Sequence, residues 1–165
     1  MSGLVAAFEK LSTGETTDFV ALVKKGGLEE LSENTTKLCS LVEDKSEKVA
    51  IAAMKTVVEL CSYPDAEPYV IPTLGSVLQN AAARDAGVRD GAKEAAFAIV
   101  ENISPFAMKG LLPFLFANLP VEKKWQIRSL ALDGVAKMKD VAPEQLGNAL
   151  PRDHYNRIDL EGSRT

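Results

Sequence analysis

Helix-forming segments recur along this chain at an interval of roughly 40 residues. That recurrence restricts the fold more than any bulk property. Val49, Ala53, Val57 and Leu60 mark the apolar stripe of one segment, and Val88, Ala92, Ala95, Ala96 and Ile99 mark the next. A third follows with Trp125, Ser129, Leu132, Val135 and Ala136, and with Ile127 and Leu130 beside them. Aligning Val49, Val88 and Trp125, and Ala53, Ala92 and Ser129, gives intervals of 39 and 37 residues. Each segment follows a partner of its own: Leu28, Leu31, Thr35, Leu38, Leu41 and Val42; then Leu74, Val77, Leu78 and Ala81; then Ala107, Leu111, Leu112, Leu115 and Phe116. Spacings of three and four residues place such positions on one helical face.

Runs that alternate with period two are missing, so the expected fold is all-α. Helix pairs that repeat at such an interval are the signature of the HEAT and armadillo class, a right-handed α-α superhelix. The sequence predicts an N-terminal capping pair of helices over 1–27, units over 28–63, 66–103 and 104–140, the start of a further unit over 141–151, and a polar tail over 152–165. Ser12-Thr13-Gly14-Glu15 and Asp44-Lys45-Ser46-Glu47 have capping form. Gly26-Gly27 reads as a helix stop, and Ser104-Pro105 as a helix start. Pro72 bends the helix that opens at Pro68 or marks its true start. Acidic residues in the turns (Asp44, Asp85, Glu122) are followed by basic ones (Lys48, Arg89, Lys123). Such pairs either bridge neighbouring units or are solvated charges near a helix start.

The charge pattern narrows the partners. Residues 1–83 carry 7 basic and 12 acidic side chains, residues 84–139 carry 9 and 6, and the chain is −4 in all. A general nucleic-acid binder is basic throughout, so any phosphate contact is confined to the middle. Arg89, Lys93, Lys123, Lys124 and Arg128 would form a basic strip along the inner helices, facing RNA phosphates or an acidic partner, or else a solvated polar face. Trp125, beside that strip, either stacks on a base or a guanidinium or fills the core at a helix start, and the spacing favours the core. No stretch has the roughly 20 apolar residues of a membrane span, and the N-terminus lacks signal-peptide form. A cytosolic or nuclear location is expected, in keeping with Cys39 and Cys61 as reduced core thiols. The glycosylation-like triplets at Asn34 and Asn102 then have no secretory context.

Catalytic chemistry has no foothold in the pattern. His154 is the one histidine and lies in the tail, and the two cysteines are distant from it, so zinc spacing is missing. A Gly-x-Ser-x-Gly elbow is missing as well. The expectation is a binding module without cofactor, metal or small-molecule substrate.

Three segments carry a family resemblance: AEPYVIPTL (66–74), SPFAMKGLLPFL (104–115) and EKKWQIRSLAL (122–132). In order and spacing they resemble the N-terminal HEAT region of fungal-type translation elongation factor three, over roughly residues 44–150. The resemblance implies a HEAT module of the kind that helps seat that factor on the ribosome, in the cytoplasm. It does not imply the ATPase cassettes of that family. Gly87-Val88-Arg89-Asp90-Gly91 lacks the Lys-Ser/Thr ending of a phosphate-binding loop, and GxxxxGK[ST] occurs nowhere in the chain. The alternative expectation is a protein–protein adaptor or structural subunit that docks through its open C-terminal end.

Overall fold

The computed structural model describes residues 3–149; the expected tail, with His154 and the helix stop at Pro151, lies outside them. Every regular element among the described residues is helical. The chain opens with α1 (Gly3–Leu11) and α2 (Phe19–Leu22), then α3 (Leu28–Glu33) and α4 (Thr35–Val42). The first long helix, α5 (Glu47–Leu60), leads into α6 (Glu67–Val70) and α7 (Thr73–Gln79). The second, α8 (Ala86–Asn102), is followed by α9 (Leu112–Phe116) and the third, α10 (Trp125–Val141), with α11 (Pro143–Ala149) after it. The three long helices lie side by side, α8 between α5 and α10. The shorter helices form a second layer in which α4, α7 and α9 succeed one another. Packing between sequence neighbours is what a solenoid requires.

Local chemistry explains the breaks. Gly26 sits at φ 111°, in the left-handed region, and turns the chain between α2 and α3. The expected helix start at Ser12–Glu15 is instead the end of α1. Gly14 takes φ 82°, its N–H bonds back to Leu11 O, and Ser12 Oγ donates to Glu9 O. The cap of α2 is Asp18, whose Oδ1 accepts from Ala21 N at 2.9 Å. The expected single helix over 28–43 divides at Asn34, whose Nδ2 donates to Glu30 O. Proline without an N–H explains both α7, which begins just after Pro72, and α9, which carries Pro113 in its first turn. Ser104-Pro105 does not start a continuous helix. A turn and a short 3-10 segment at Met108–Gly110 precede α9.

Burial sets the register of the long helices. Val49, Val88 and Ile127 are 5%, 4% and 5% exposed, and Ala53, Ala92 and Ala131 are all fully buried. Thr56, Ala95 and Gly134 are buried in the same phase, as are Leu60, Ile99 and Met138. The interval is 39 residues in both steps. Ala or Gly recurs at these contact points because small side chains let helix axes approach closely. The expected equivalence of Trp125 and Ser129 with the core positions is therefore corrected: Ile127 and Ala131 occupy that register, and Trp125 is 71% exposed. Leu132 is 55% exposed, Ala136 is exposed, and Phe116 is 36% exposed on a helix expected to turn it inward.

The source of the shift is a turn. Leu74 and Leu78 of α7 match Leu111 and Leu115 before and within α9 at an interval of 37 residues, all four buried. Ten residues separate Leu78 from Val88, but twelve separate Leu115 from Ile127. Two residues in a helix amount to a rotation of about 200°. Carrying the shorter interval across that turn moves the apparent stripe to the opposite face of α10.

Candidate functional site: the turns that join the units

Polar side chains tie each unit to the next at the ends of the helices. Asn80 Nδ2 donates to Val42 O at 2.7 Å, and Gln79 Nε2 donates to Asn118 Oδ1 at 2.9 Å. Asn118, 5% exposed, in turn donates to Phe114 O at 2.7 Å. At the opposite edge Glu67 reaches into the following unit. Its Oε2 accepts from Ser104 N and its Oε1 from Ser104 Oγ, each at 2.8 Å. An ion pair joins α8 and α10, Glu101 Oε1 to Lys137 Nζ at 2.8 Å, and the carboxylate raises the Lys137 pKa through that hydrogen bond. Sequence reading missed these ties. A partly buried Gln or Asn in a turn carries no periodic signal, although the separations of 37 to 39 residues between partners do.

Of the acidic and basic turn residues, Asp44, Asp85 and Arg89 bond within their own turns. Asp44 Oδ1 accepts from Ser46 N at 2.8 Å, and Asp85 Oδ1 accepts from Val88 N at 2.9 Å as the cap of α8. Arg89 Nη1 donates to Ala83 O at 2.9 Å and also to Arg84 O. Arg128, its counterpart in the following unit, donates from Nε to Leu119 O at 3.2 Å. Both arginines close the turn that precedes their helix and satisfy carbonyls there.

Lys93, exposed one turn beyond Arg89, holds Nζ 5.8 Å from the centre of the Phe97 ring. Lys123, Lys124 and Trp125 are all exposed, at the turn into α10. Lys123 N donates to Pro120 O, and Lys124 stands at the cap position of α10 without a side-chain cap bond. An open groove runs between this turn and the Gln79–Ala83 turn of the preceding unit. Ala83 belongs to both features: it lines the groove and accepts Arg89. The structure thus brings Arg89, Lys123 and Lys124 to one edge of the stack. Arg128 is half-buried beneath it, and Trp125 projects from the same end of α10.

A different edge holds Cys61, half-buried near Tyr63, Glu67, Ile99 and Ile103. Burial pushes its thiol up to about 12, so it stays a neutral SH at physiological pH and is a poor nucleophile. Cys39 is raised as well, again chiefly by burial. Among the described residues no group of three or more His, Cys, Asp or Glu side chains is placed to hold a metal ion.

Sequence comparison agrees with the architecture of paired helices. The model of the EF3 N-terminal HEAT repeat covers residues 13–152. The chain belongs to this family. Elongation factor 3 of Eremothecium gossypii is 31% identical over 160 residues, which is 87% of this chain and 15% of that protein. Elongation factor 3A of Saccharomyces cerevisiae is 30% identical over 111 residues, 65% of the chain and 11% of the yeast protein. Elongation factor 3 of Phytophthora infestans is 38% identical over 85 residues, 52% of the chain and 8% of its relative. The chain therefore spans a small part of the length of these relatives. In this EF3-type HEAT chain no described helix is long and apolar enough to cross a membrane.

Proposed function

We propose that this EF3-type HEAT chain is a non-catalytic binding module that docks on a large assembly in the cytoplasm, with the ribosome as its partner. The observation that carries the reading is the match of residues 13–152 to the N-terminal HEAT repeat of a translation elongation factor. The surface supports it. Lys123 and Lys124 stand exposed on a turn whose backbone is held by Arg128 and whose neighbouring turn is held by Arg89. Fixed turns present their cations with little ordering cost, which suits contact with RNA phosphates or an acidic protein surface. Lys93 extends the basic edge along α8, and Trp125 adds a flat apolar surface for stacking.

Sedimentation with ribosomes, at low and at high salt, tests the reading. Binding is expected to fall steeply with salt, as phosphate contacts require, and to weaken in Lys123→Glu/Lys124→Glu. Sedimentation unchanged by that double variant removes the two lysines from the interface. No association at low salt overturns the ribosomal reading. A second reading, a protein–protein adaptor, is favoured by one observation: the outward face of α10 exposes Trp125 and Leu132.

A further inference from the structure

Trp125, Ser129, Leu132 and Ala136 follow one another at four, three and four residues and share one face of α10. All four are exposed, Trp125 by 71% and Leu132 by 55%. Two repeats earlier, the same register holds Glu47, Ile51, Met54 and Val58 of α5. There Met54 is 1% exposed, while Ile51 and Val58 are half-buried. Helix α8 covers them. A Cβ added to Gly87 would lie 3.2 Å from Ile51 Cδ1, and one added to Gly91 would lie 3.0 Å from Met54 Cε. This register is thus the side on which the stack accepts its next helix. At the amino-terminal end the corresponding side is closed, since α1 and α2 pack against α5.

We propose that the outward face of α10 pairs with the same face of a second copy of this chain, antiparallel, about a two-fold axis. A head-to-tail contact is disfavoured because the amino-terminal side is covered. The face is complementary to itself. In an antiparallel pair centred between Leu130 and Ala131, Trp125 of one copy lies over Ala136 of the other, and Leu132 lies over Ser129. Each large side chain meets a small one, and both pairs occur twice, as an isologous interface demands. In this register Arg128 of one copy falls opposite Asp133 of the other, a pair of opposite sign that occurs twice, while Lys124 falls opposite Lys137, which is already paired with Glu101. A parallel pair would instead set Trp125 on Trp125 and Asp133 on Asp133. One helix face is a small contact, so the association is concentration-dependent.

The pairing does not rest on ribosome docking, and the two are separable at Leu132 although they share Trp125, Lys124 and Arg128. The test is sedimentation velocity of the 165-residue chain over a dilution series, read together with the emission of Trp125, its one tryptophan. The expected result is a monomer–dimer equilibrium, with emission moving to shorter wavelength as dimer forms. Leu132→Asp is expected to weaken dimerisation roughly tenfold or more with its helical circular dichroism intact, because Leu132 lies outside the core. Ala136→Trp is expected to do the same through a clash, and Ser129→Ala to leave the dimer in place. A monomer at every concentration overturns the proposal. A dimer indifferent to Leu132→Asp overturns it equally. A monomeric Leu132→Asp chain that still sediments with ribosomes separates this interface from the proposed docking edge.

Discussion

The helices α5 and α10 hold the same place in two units 78 residues apart, yet one is enclosed and the other has an open side. On α5 the position of Met54 is covered by Gly91 of the next helix; on α10 the same position is Leu132, more than half exposed. Both helices bury a stripe of similar chemistry inward. What differs is the neighbour and not the helix. In a stacked fold a helix face is interior or surface according to whether another unit lies on it. An apolar residue at such a position is therefore a statement about contact, either within the chain or with something else.

That contrast can be broken by substitution at equivalent positions. Met54→Ala empties a fully enclosed site, and an unfolding free energy lower by about 2–5 kcal/mol is expected in denaturant titration. Glu67→Ala removes the acceptor for two groups of Ser104 and loosens the second unit from the third. A loss of about 1–2 kcal/mol is expected, with faster amide exchange in residues 104–116 than in α5. Leu132→Ala, the counterpart of Met54→Ala, is expected to change stability by no more than about 0.5 kcal/mol, measured in dilute solution where the chain is monomeric. Similar losses at Met54 and Leu132 would erase the distinction between the enclosed and the open helix. A large effect at Glu67 without any local change in exchange would mean that the Ser104 contact does not tie the units.

Much of the fold was legible before any coordinates. Val49, Ala53, Val88 and Ala92 repeat with a clear helical period, and the family follows from how the segments are ordered. Gly26 turns the chain as the rule of helix ending foretells, and Asp44 accepts a backbone amide as its capping form foretells, whereas Asp85 caps a helix where the sequence marks only a turn. The candidate site was legible in composition but not in arrangement. Arg89 and Arg128 looked like free cations in a basic strip, whereas each is bonded to backbone carbonyls of its own turn. Trp125, Ser129, Leu132 and Ala136 make as convincing an amphipathic stripe as Ile127, Leu130, Ala131, Gly134 and Met138. Nothing in the period alone chooses between two apolar stripes on one helix.

The order of residues alone determined that this chain makes paired helices at a nearly constant interval, because three-and-four spacing and glycine or proline stops act locally. Which face of the last long helix turns inward was decided only by packing. A turn longer by two residues rotates every later side chain about the helix axis. The buried set is then whichever one α8 and α9 can cover.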